Sequence, residues 1–277
     1  MRGLGRTLRQ RTSEGNALNG AYAAALEAGA DLRVPAARAR VEAFAIRLLD
    51  VGVAAVLLTL LLPVWLVVAC AIKVDSRGTV LYRCGRVGRN GVVFQMLKFR
   101  KMRADASGPL LTLPDDSRFT RIGRFLARSK LDELPQLWNV LLGEMSLVGS
   151  RPESPEFVVR HPDDYAAILA VRPGITGLSQ LAYAKESEIL DSGDCVEDYL
   201  SRVLPQKLRM DRLYAETRSF RANLRILVWT AVAVLLRADV AVNRKTGALG
   251  VRRRPAPAPA AEPIPVVPRA ARAEGRS

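Results

Sequence analysis

The most distinctive hydropathy feature of the chain is an apolar stretch, residues 51–72, that contains no charged side chain. At about 1.5 Å per residue, such a helix can cross a bilayer core of roughly 30 Å. Pro63 lies near its middle, where it removes a backbone hydrogen bond and kinks the helix. Basic residues flank both ends, and cytoplasmic flanks attract Lys and Arg. We therefore predict a membrane hairpin over about residues 47–73, with a single membrane span as the alternative.

A second pattern, over residues 79–100, alternates apolar and polar positions on both sides of one dipeptide. Val80 and Tyr82 precede Asn90-Gly91, and the alternation resumes after it. Asn-Gly strongly favours the type I′ turn that joins two antiparallel strands. These residues therefore predict a short β-hairpin.

Two further segments have the pattern of amphipathic or interfacial helices. Residues 116–128 place apolar side chains on one face and arginines on the other, among them Arg128. Basic amphipathic helices commonly lie on membrane surfaces, although a soluble helix packed on the core would show the same pattern. Residues 226–236 are apolar but too short to span a bilayer, which suits an interfacial helix.

Residues 129–152 read SKLDELPQLWNVLLGEMSLVGSRP, with apolar residues at helical spacing. Pro135 has no N–H and fits the first turn of a helix, so the helix should begin close to Asp132 and Glu133. Unpaired N–H groups at a helix start stabilise anions, including phosphate oxygens. The two carboxylates could nevertheless serve only as caps, because acidic first turns are common.

The two ends of the chain differ in composition from its centre. Residues 1–43 are basic and rich in Gly and Ala, and residues 241–277 are rich in Pro, Ala and Arg. We expect a poorly ordered extension and a disordered tail, respectively, around one domain over residues 44–240. The acidic stretch 181–200 is interpreted as a solvated face or as part of a substrate pocket.

Charge and rare residues narrow the chemistry. The 277-residue chain carries a formal net charge of +15, which implies anionic partners such as nucleic acid, acidic lipid or a phosphorylated substrate. Its three cysteines form no CxxC pair, which argues against a zinc site or a disulfide framework. Because His161 is the one histidine, acid–base chemistry would fall to carboxylates.

Four motifs resemble those of the bacterial sugar transferases. They are the run at residues 129–152, KFRKM at 98–102, RPGITG at 172–177 and LPQKLRMDRLY at 204–214. These proteins are monotopic phosphoglycosyl transferases that move a sugar phosphate from a nucleotide sugar to a polyprenyl phosphate. The resemblance implies an α+β, mostly helical fold. A re-entrant membrane helix hairpin, a short β-hairpin and interfacial amphipathic helices would surround an active site on the cytoplasmic face of the cytoplasmic membrane.

The resemblance also implies roles for individual residues. Asp132 would be the nucleophile and Glu133 the Mg²⁺ ligand, with Asp211 as a second candidate metal ligand and Pro63 as the membrane bend. The candidate phosphate-binding residues are Lys98, Arg100, Arg128, Arg151 and Arg172. The chain departs from the family's pattern at three positions, which are Leu62 for Ser, Lys101 for Thr and Ala127 for Arg.

The predicted reaction transfers a sugar 1-phosphate from a UDP-sugar to polyprenyl phosphate, with UMP release and a covalent phosphosugar–Asp intermediate. The partners would be UDP-sugar, polyprenyl phosphate and membrane lipid. A membrane-tethered basic protein that binds anionic lipid or nucleic acid is the alternative from another class. No nucleic-acid partner is expected, because the chain has no nucleic-acid motif and few aromatic residues. Direct sugar transfer, which would release UDP, is a third possibility. The sugar, the glycan pathway and the oligomeric state are left open.

Overall fold

The protein is described by a computed structural model over residues 36–103, 106, 116–184, 197 and 199–251. Within these residues the fold is mostly helical. The helices are α1 (Ala36–Leu60), α2 (Leu62–Asp75), α3 (Arg121–Ser129), α4 (Gln136–Leu142), α5 (Pro155–Val158), α6 (Pro162–Ile168), α7 (Leu178–Ala182), α8 (Leu204–Thr217) and α9 (Phe220–Leu235).

Six short strands form three separate two-stranded sheets in the described part of the chain. The antiparallel pairs are β1 (Leu81–Val87) with β2 (Val93–Phe99) and β5 (Val240–Val242) with β6 (Leu249–Val251), and the parallel pair is β3 (Ser146–Val148) with β4 (Gly174–Thr176). The predicted mostly helical α+β class and the predicted short β-hairpin are confirmed.

The predicted ends of the central domain differ from the observed elements. Helix α1 already begins at Ala36, inside the segment expected to be a poorly ordered extension. Strands β5 and β6 extend the ordered chain to Val251, into the segment expected to be a disordered tail. The predictions for residues 1–35, for most of the acidic stretch and for residues 252–277 lie outside the described residues.

The apolar stretch forms two helices with a break between them. Helix α1 ends at Leu60, and Leu61 has φ −89° and ψ 4° before α2 starts at Leu62. Pro63 lies in the first turn of α2, where its ring cannot donate to the carbonyl of Thr59. By length and composition, residues 40–60 of α1 form the one described helix that could cross a membrane.

Both helices are packed against the rest of the protein at the ends away from the break. Helix α1 buries Ile46, Asp50 and Ala54, and it contacts α4, β3 and α9. Helix α2 buries Val68 and Ile72 beside α3. The side chains nearest the break are apolar and exposed, namely Val56, Leu60, Leu62, Val64, Leu66 and Val67.

The β1–β2 hairpin turns at the predicted dipeptide. Asn90 and Gly91 have φ values of 57° and 75°, in the left-handed region that a type I′ turn requires at both central positions. The N–H of Val92 donates to the carbonyl of Arg89, which closes the turn. The hairpin therefore fixes the position of Lys98, which lies near the end of β2.

Candidate active site

The acidic pair lies in a tight turn that precedes α4. Leu131–Glu133 forms a 3₁₀ turn, Pro135 follows with φ −60°, and the α-helix itself begins at Gln136. The helix thus starts four residues later than Asp132. On α4, Leu137 and Val140 are buried, whereas Trp138 is half exposed.

Three cations meet the two carboxylates of this turn. The Nζ of Lys98 and the Nη2 of Arg151 both donate to Glu133 Oε1, at 3.0 and 2.9 Å. The Nζ of Lys101 lies 3.2 Å from Asp132 Oδ2. The Asp132 side chain is only 3% exposed, and that of Lys101 is 26% exposed. An acidic pair and three fixed positive charges thus form one compact cluster.

The charges of this cluster depend on one another. Burial by itself would raise the pKa of Glu133, but the charges of Arg151 and Lys98 outweigh it and hold that pKa well below its usual range. Burial lowers the pKa of the Lys98 ammonium, whereas the neighbouring Glu133 carboxylate raises it. Glu133 is therefore an anion at neutral pH, and its charge is balanced by Lys98 and Arg151.

A buried amide fixes the strand of Lys98 to the helix that follows Glu133. Asn139, 1% exposed on α4, accepts from the N–H of Leu97 at 3.0 Å and donates to the carbonyl of Gln95 at 2.8 Å. Its Nδ2 also donates to Glu144 Oε2 at 2.6 Å. Asn139 therefore joins β2 to α4, and it thereby sets the position of Lys98 relative to Glu133.

Lys101 is held by the close approach of α3 to its backbone. A Cβ atom on Gly123 of α3 would lie 1.8 Å from the Lys101 carbonyl oxygen, so any larger residue would displace the two segments. The N–H of Thr120 donates to the same carbonyl at 3.1 Å. Helix α3 thus fixes the backbone from which Lys101 reaches Asp132.

Two of the predicted phosphate-binding residues lie outside this cluster. The guanidinium of Arg100 is buried and donates to the carbonyls of Ser76 and Arg77, just beyond the end of α2. Arg128 is exposed on α3, and its guanidinium makes no hydrogen bond or ion pair within the described residues. The structure brings neither residue to the carboxylates.

Arg172 lies at the opposite end of α4 from the acidic pair. Its Nε donates to the carbonyl of Gly143 at 2.8 Å. Gly143 follows Asp132 by eleven residues, which corresponds to about 16 Å along a helical path. Burial lowers the pKa of Arg172, and the nearby Arg47 lowers it further. Arg172 therefore binds the backbone at the carboxyl end of α4, away from Asp132.

Arg47 and Asp50 of α1 were not predicted as functional residues, yet they attach the apolar helix to the active-site segment. Arg47 donates to the carbonyls of Val140 and Leu141 at 2.7 and 3.0 Å. Asp50 accepts from the Ser146 hydroxyl at 2.8 Å and from the Leu147 N–H at 3.0 Å. The sequence offered one signal for this role: Arg47 and Asp50 are charged residues, three positions apart, beside an apolar run.

Asp211, the second candidate metal ligand, is buried in α8. Its Oδ1 accepts from the Ser179 hydroxyl at 2.6 Å. Burial raises its pKa to about 7, against the opposing effects of Ser179 and Lys207. The structure does not bring Asp211 into the acidic cluster.

Asp132 and Glu133 supply the type of oxygen ligand that magnesium takes in proteins. Mg²⁺ is usually held by one or two carboxylates together with substrate phosphates and water. The described residues contain no group of three or more His, Cys, Asp or Glu side chains suited to a metal. Glu133 Oε2 makes no hydrogen bond within those residues. The pair thus fits an ion whose other ligands are phosphate and water.

Comparison with known proteins gives the family of the chain. The sequence model of the bacterial sugar transferase family matches residues 41–237. A UDP-glucose:undecaprenyl-phosphate glucose-1-phosphate transferase from Caulobacter vibrioides is 38% identical over 68% of this chain and 69% of its own length.

Two further relatives share a smaller part of their length. An undecaprenyl-phosphate glucose phosphotransferase from Komagataeibacter xylinus is 44% identical over 49% of this chain and 27% of its own length. A UDP-glucose:undecaprenyl-phosphate glucose-1-phosphate transferase from Klebsiella pneumoniae is 34% identical over 66% of this chain and 38% of its own length. The chain therefore spans well under half of these two relatives.

Proposed function

The chain belongs to the bacterial sugar transferase family and is a sugar-phosphate transferase, and from this premise we propose that it transfers a sugar 1-phosphate from a UDP-sugar to undecaprenyl phosphate. The observation that carries the proposal is the cluster of Asp132 and Glu133 with Lys98, Lys101 and Arg151. Membership of an enzyme family weighs against the alternative of a binding protein without catalysis.

The first step forms a covalent intermediate on Asp132. A carboxylate oxygen of Asp132 attacks the sugar-linked phosphorus of the UDP-sugar. The bond from that phosphorus to the bridging oxygen breaks, and UMP leaves with the electron pair. A carboxylate is ionised at neutral pH without the help of a histidine, which agrees with the single histidine of the chain.

The second step regenerates the enzyme. A phosphate oxygen of undecaprenyl phosphate attacks the same phosphorus, and the Asp132 carboxylate leaves. The product is the undecaprenyl-diphospho-sugar, and both phosphorus–oxygen exchanges balance. Direct transfer of the sugar without its phosphate would instead release UDP, so the nucleotide product separates the two reactions.

The proposed reaction requires positive charge on the residues around Asp132. A carboxylate that approaches a diphosphate is repelled unless the negative charge is offset. Lys98 and Arg151 are held in place by Glu133, and Lys101 lies against the nucleophile. A bound Mg²⁺ ion, with Asp132 and Glu133 as its protein ligands, would supply further charge neutralisation.

In this proposal, the membrane segment holds the reaction at the surface where the lipid substrate is found. Both apolar helices pack on the rest of the chain at the ends away from the break, so the chain returns to the part of the protein from which it left. Exposed apolar side chains surround the break at residues 55–67 and continue along α1 at Phe44, Leu48 and Val51. We propose that the hairpin enters and leaves the membrane on the cytoplasmic face.

Replacement of the nucleophile tests the reaction. With UDP-glucose, the donor suggested by the relatives, and undecaprenyl phosphate, the wild-type protein should release UMP. Asp132→Asn should release none while it remains in the membrane fraction, and Asp163→Asn, an exposed aspartate in the first turn of α6, is the matched control. Donor labelled at its sugar-linked phosphate should label the wild-type polypeptide when acceptor is absent. UMP release by Asp132→Asn at the wild-type rate would overturn the assignment.

Labelling from each side of the membrane tests the hairpin. Glu42→Cys and Arg77→Cys, each in a cysteine-free background, place thiols in the first turns of α1 and just after the end of α2. An impermeant maleimide should label both thiols in inverted vesicles and neither in intact spheroplasts. Labelling of one thiol from each side would instead show a single span.

A further inference from the structure

A pocket of about 1,030 Å³ lies next to the acidic cluster, between the carboxyl end of α2 and the first half of α3. Among its described lining residues, four are arginines and one is a carboxylate. The arginines are Arg77, Arg103, Arg121 and Arg124, and the carboxylate is Asp75. We refer to this cavity as the arginine pocket.

The positive charge of the arginine pocket is not neutralised by the described part of the chain. Asp75 already accepts a hydrogen bond from the Ile122 N–H, at 3.1 Å. Within the described residues, none of the four guanidinium groups forms a hydrogen bond or an ion pair. Four like charges around one cavity repel one another, so an anion that enters the cavity would relieve this repulsion. Guanidinium groups are especially suited to phosphate, to which they donate two parallel hydrogen bonds.

Exposed apolar side chains at the rim indicate that the anion belongs to a lipid. Val74, at the end of the apolar α2, is 89% exposed, and Phe125, on α3 beside Arg121 and Arg124, is 60% exposed. A helix face that combines arginines with an exposed aromatic residue is typical of a membrane interface, where phosphate headgroups lie. The pocket thus combines an arginine-rich lining with exposed apolar side chains in it and beside it.

The arginine pocket is separated from the reacting carboxylate. Lys101 pairs with Asp132, and its Nζ lies 5.8 Å from the centre of the Phe119 ring, which lines the pocket. Lys101 and Phe119 therefore stand between Asp132 and the pocket. We propose that the arginine pocket binds the phosphate headgroup of an anionic phospholipid, which is distinct from the lipid acceptor of the reaction. This proposal rests on the membrane placement given above but not on the transfer reaction.

Lipid binding can be measured without turnover, by native mass spectrometry of the full chain in micelles that contain phosphatidylglycerol or phosphatidylcholine. The wild-type protein should retain phosphatidylglycerol in preference to phosphatidylcholine. Arg121→Gln/Arg124→Gln should weaken phosphatidylglycerol binding about 25-fold, at about fivefold per arginine near an anionic lipid. The control Arg83→Gln/Arg209→Gln removes the same charge from exposed positions outside the pocket and should bind as the wild type does.

A second pair, Arg77→Gln/Arg103→Gln, should give the same loss, and it decides the question if the first pair does not fold. Equal losses in the pocket variants and in the control would overturn the proposal, because they would reflect net charge alone. Unchanged phosphatidylglycerol binding together with a higher KM for undecaprenyl phosphate or for UDP-sugar would also overturn it, because the pocket would then belong to a substrate.

Discussion

The two ends of α4 both attract guanidinium groups, but they use them differently. Before the amino end, Arg151 meets the carboxylate of Glu133, and its side chain stays 35% exposed, where a ligand can reach it. At the carboxyl end, Arg47 and Arg172 donate to backbone carbonyls of residues 140, 141 and 143. Carbonyls at the carboxyl end of a helix generally lack partners inside it, although that of Val140 also accepts from the Gly143 N–H at 3.0 Å. In the proposed reaction, the arginine at the first end would offset substrate charge, whereas the arginines at the second end hold the helix.

The largest effect on activity should come from replacing Arg151, before the amino end of α4, where the substrate is proposed to bind. Arg151→Gln should lower kcat/KM for UMP release about 10²- to 10³-fold, as does removal of one charge-stabilising donor in other active sites. Its melting temperature should change little, because a partly exposed ion pair contributes little to stability. Initial rates and thermal unfolding on the same preparation check both parts. A variant that is unstable but fully active would reverse the roles assigned to the two ends.

The next largest effect should be the loss of stability on replacing Arg47, which contacts the carboxyl end of α4. Arg47→Met removes two hydrogen bonds from a charged donor to backbone carbonyls and should destabilise the protein by about 2–3 kcal/mol. Turnover per folded molecule should be retained, because Arg47 lies away from the carboxylates. Denaturant titration in detergent, with activity normalised to the folded fraction, separates the two quantities. A loss of turnover without loss of stability would contradict this assignment.

Arg172 gives the sharpest test, because its predicted role and its observed position differ. Arg172→Gln loses one hydrogen bond to the Gly143 carbonyl and should destabilise the protein by about 1–1.5 kcal/mol. The KM for UDP-sugar should not change. If Arg172 binds phosphate instead, the KM will rise while the stability stays constant.

Two carboxylates of the protein also differ in their surroundings. Glu133 contacts two cations, whereas Asp211 contacts the hydroxyl group of Ser179. The pKa of Asp211 is raised to about 7, so the folded state holds a proton that the unfolded state releases near pH 4. Stability should therefore fall as the pH rises through this range, by about 1 kcal/mol between pH 6 and pH 8. Asp211→Asn should remove this component, so the difference in melting temperature between variant and wild type should change with pH. A difference that is constant from pH 6 to pH 8 would show that Asp211 does not titrate there.

Local sequence signals predicted the elements that depend on neighbouring residues. Asn90-Gly91 sets the hairpin turn through its own backbone preferences, and Pro63 limits helix geometry within one turn. Adjacent carboxylates before Pro135 are a local signal as well. These features follow from chemistry within a few residues, which a single sequence displays directly.

The partners of the arginines could not be predicted in this way. A guanidinium donates equally well to phosphate and to a backbone carbonyl, so residue type alone does not separate the two uses. Arg47 and Val140 are 93 residues apart in the chain, and only the tertiary fold brings them together. Lys101 stood out in the sequence only as a departure from the family's threonine, although it is the cation that contacts Asp132.

Asn139 determines when the geometry around Lys98 and Glu133 is set. Because its amide joins β2 to α4, the separation between the Lys98 and Glu133 backbones is established when the protein folds. Little reorganisation energy is then needed when charge develops on a transferring phosphoryl group, since the surrounding dipoles are already oriented. A neutral side chain that touches no substrate would thus contribute to the rate through the rigidity that it gives to its charged neighbours.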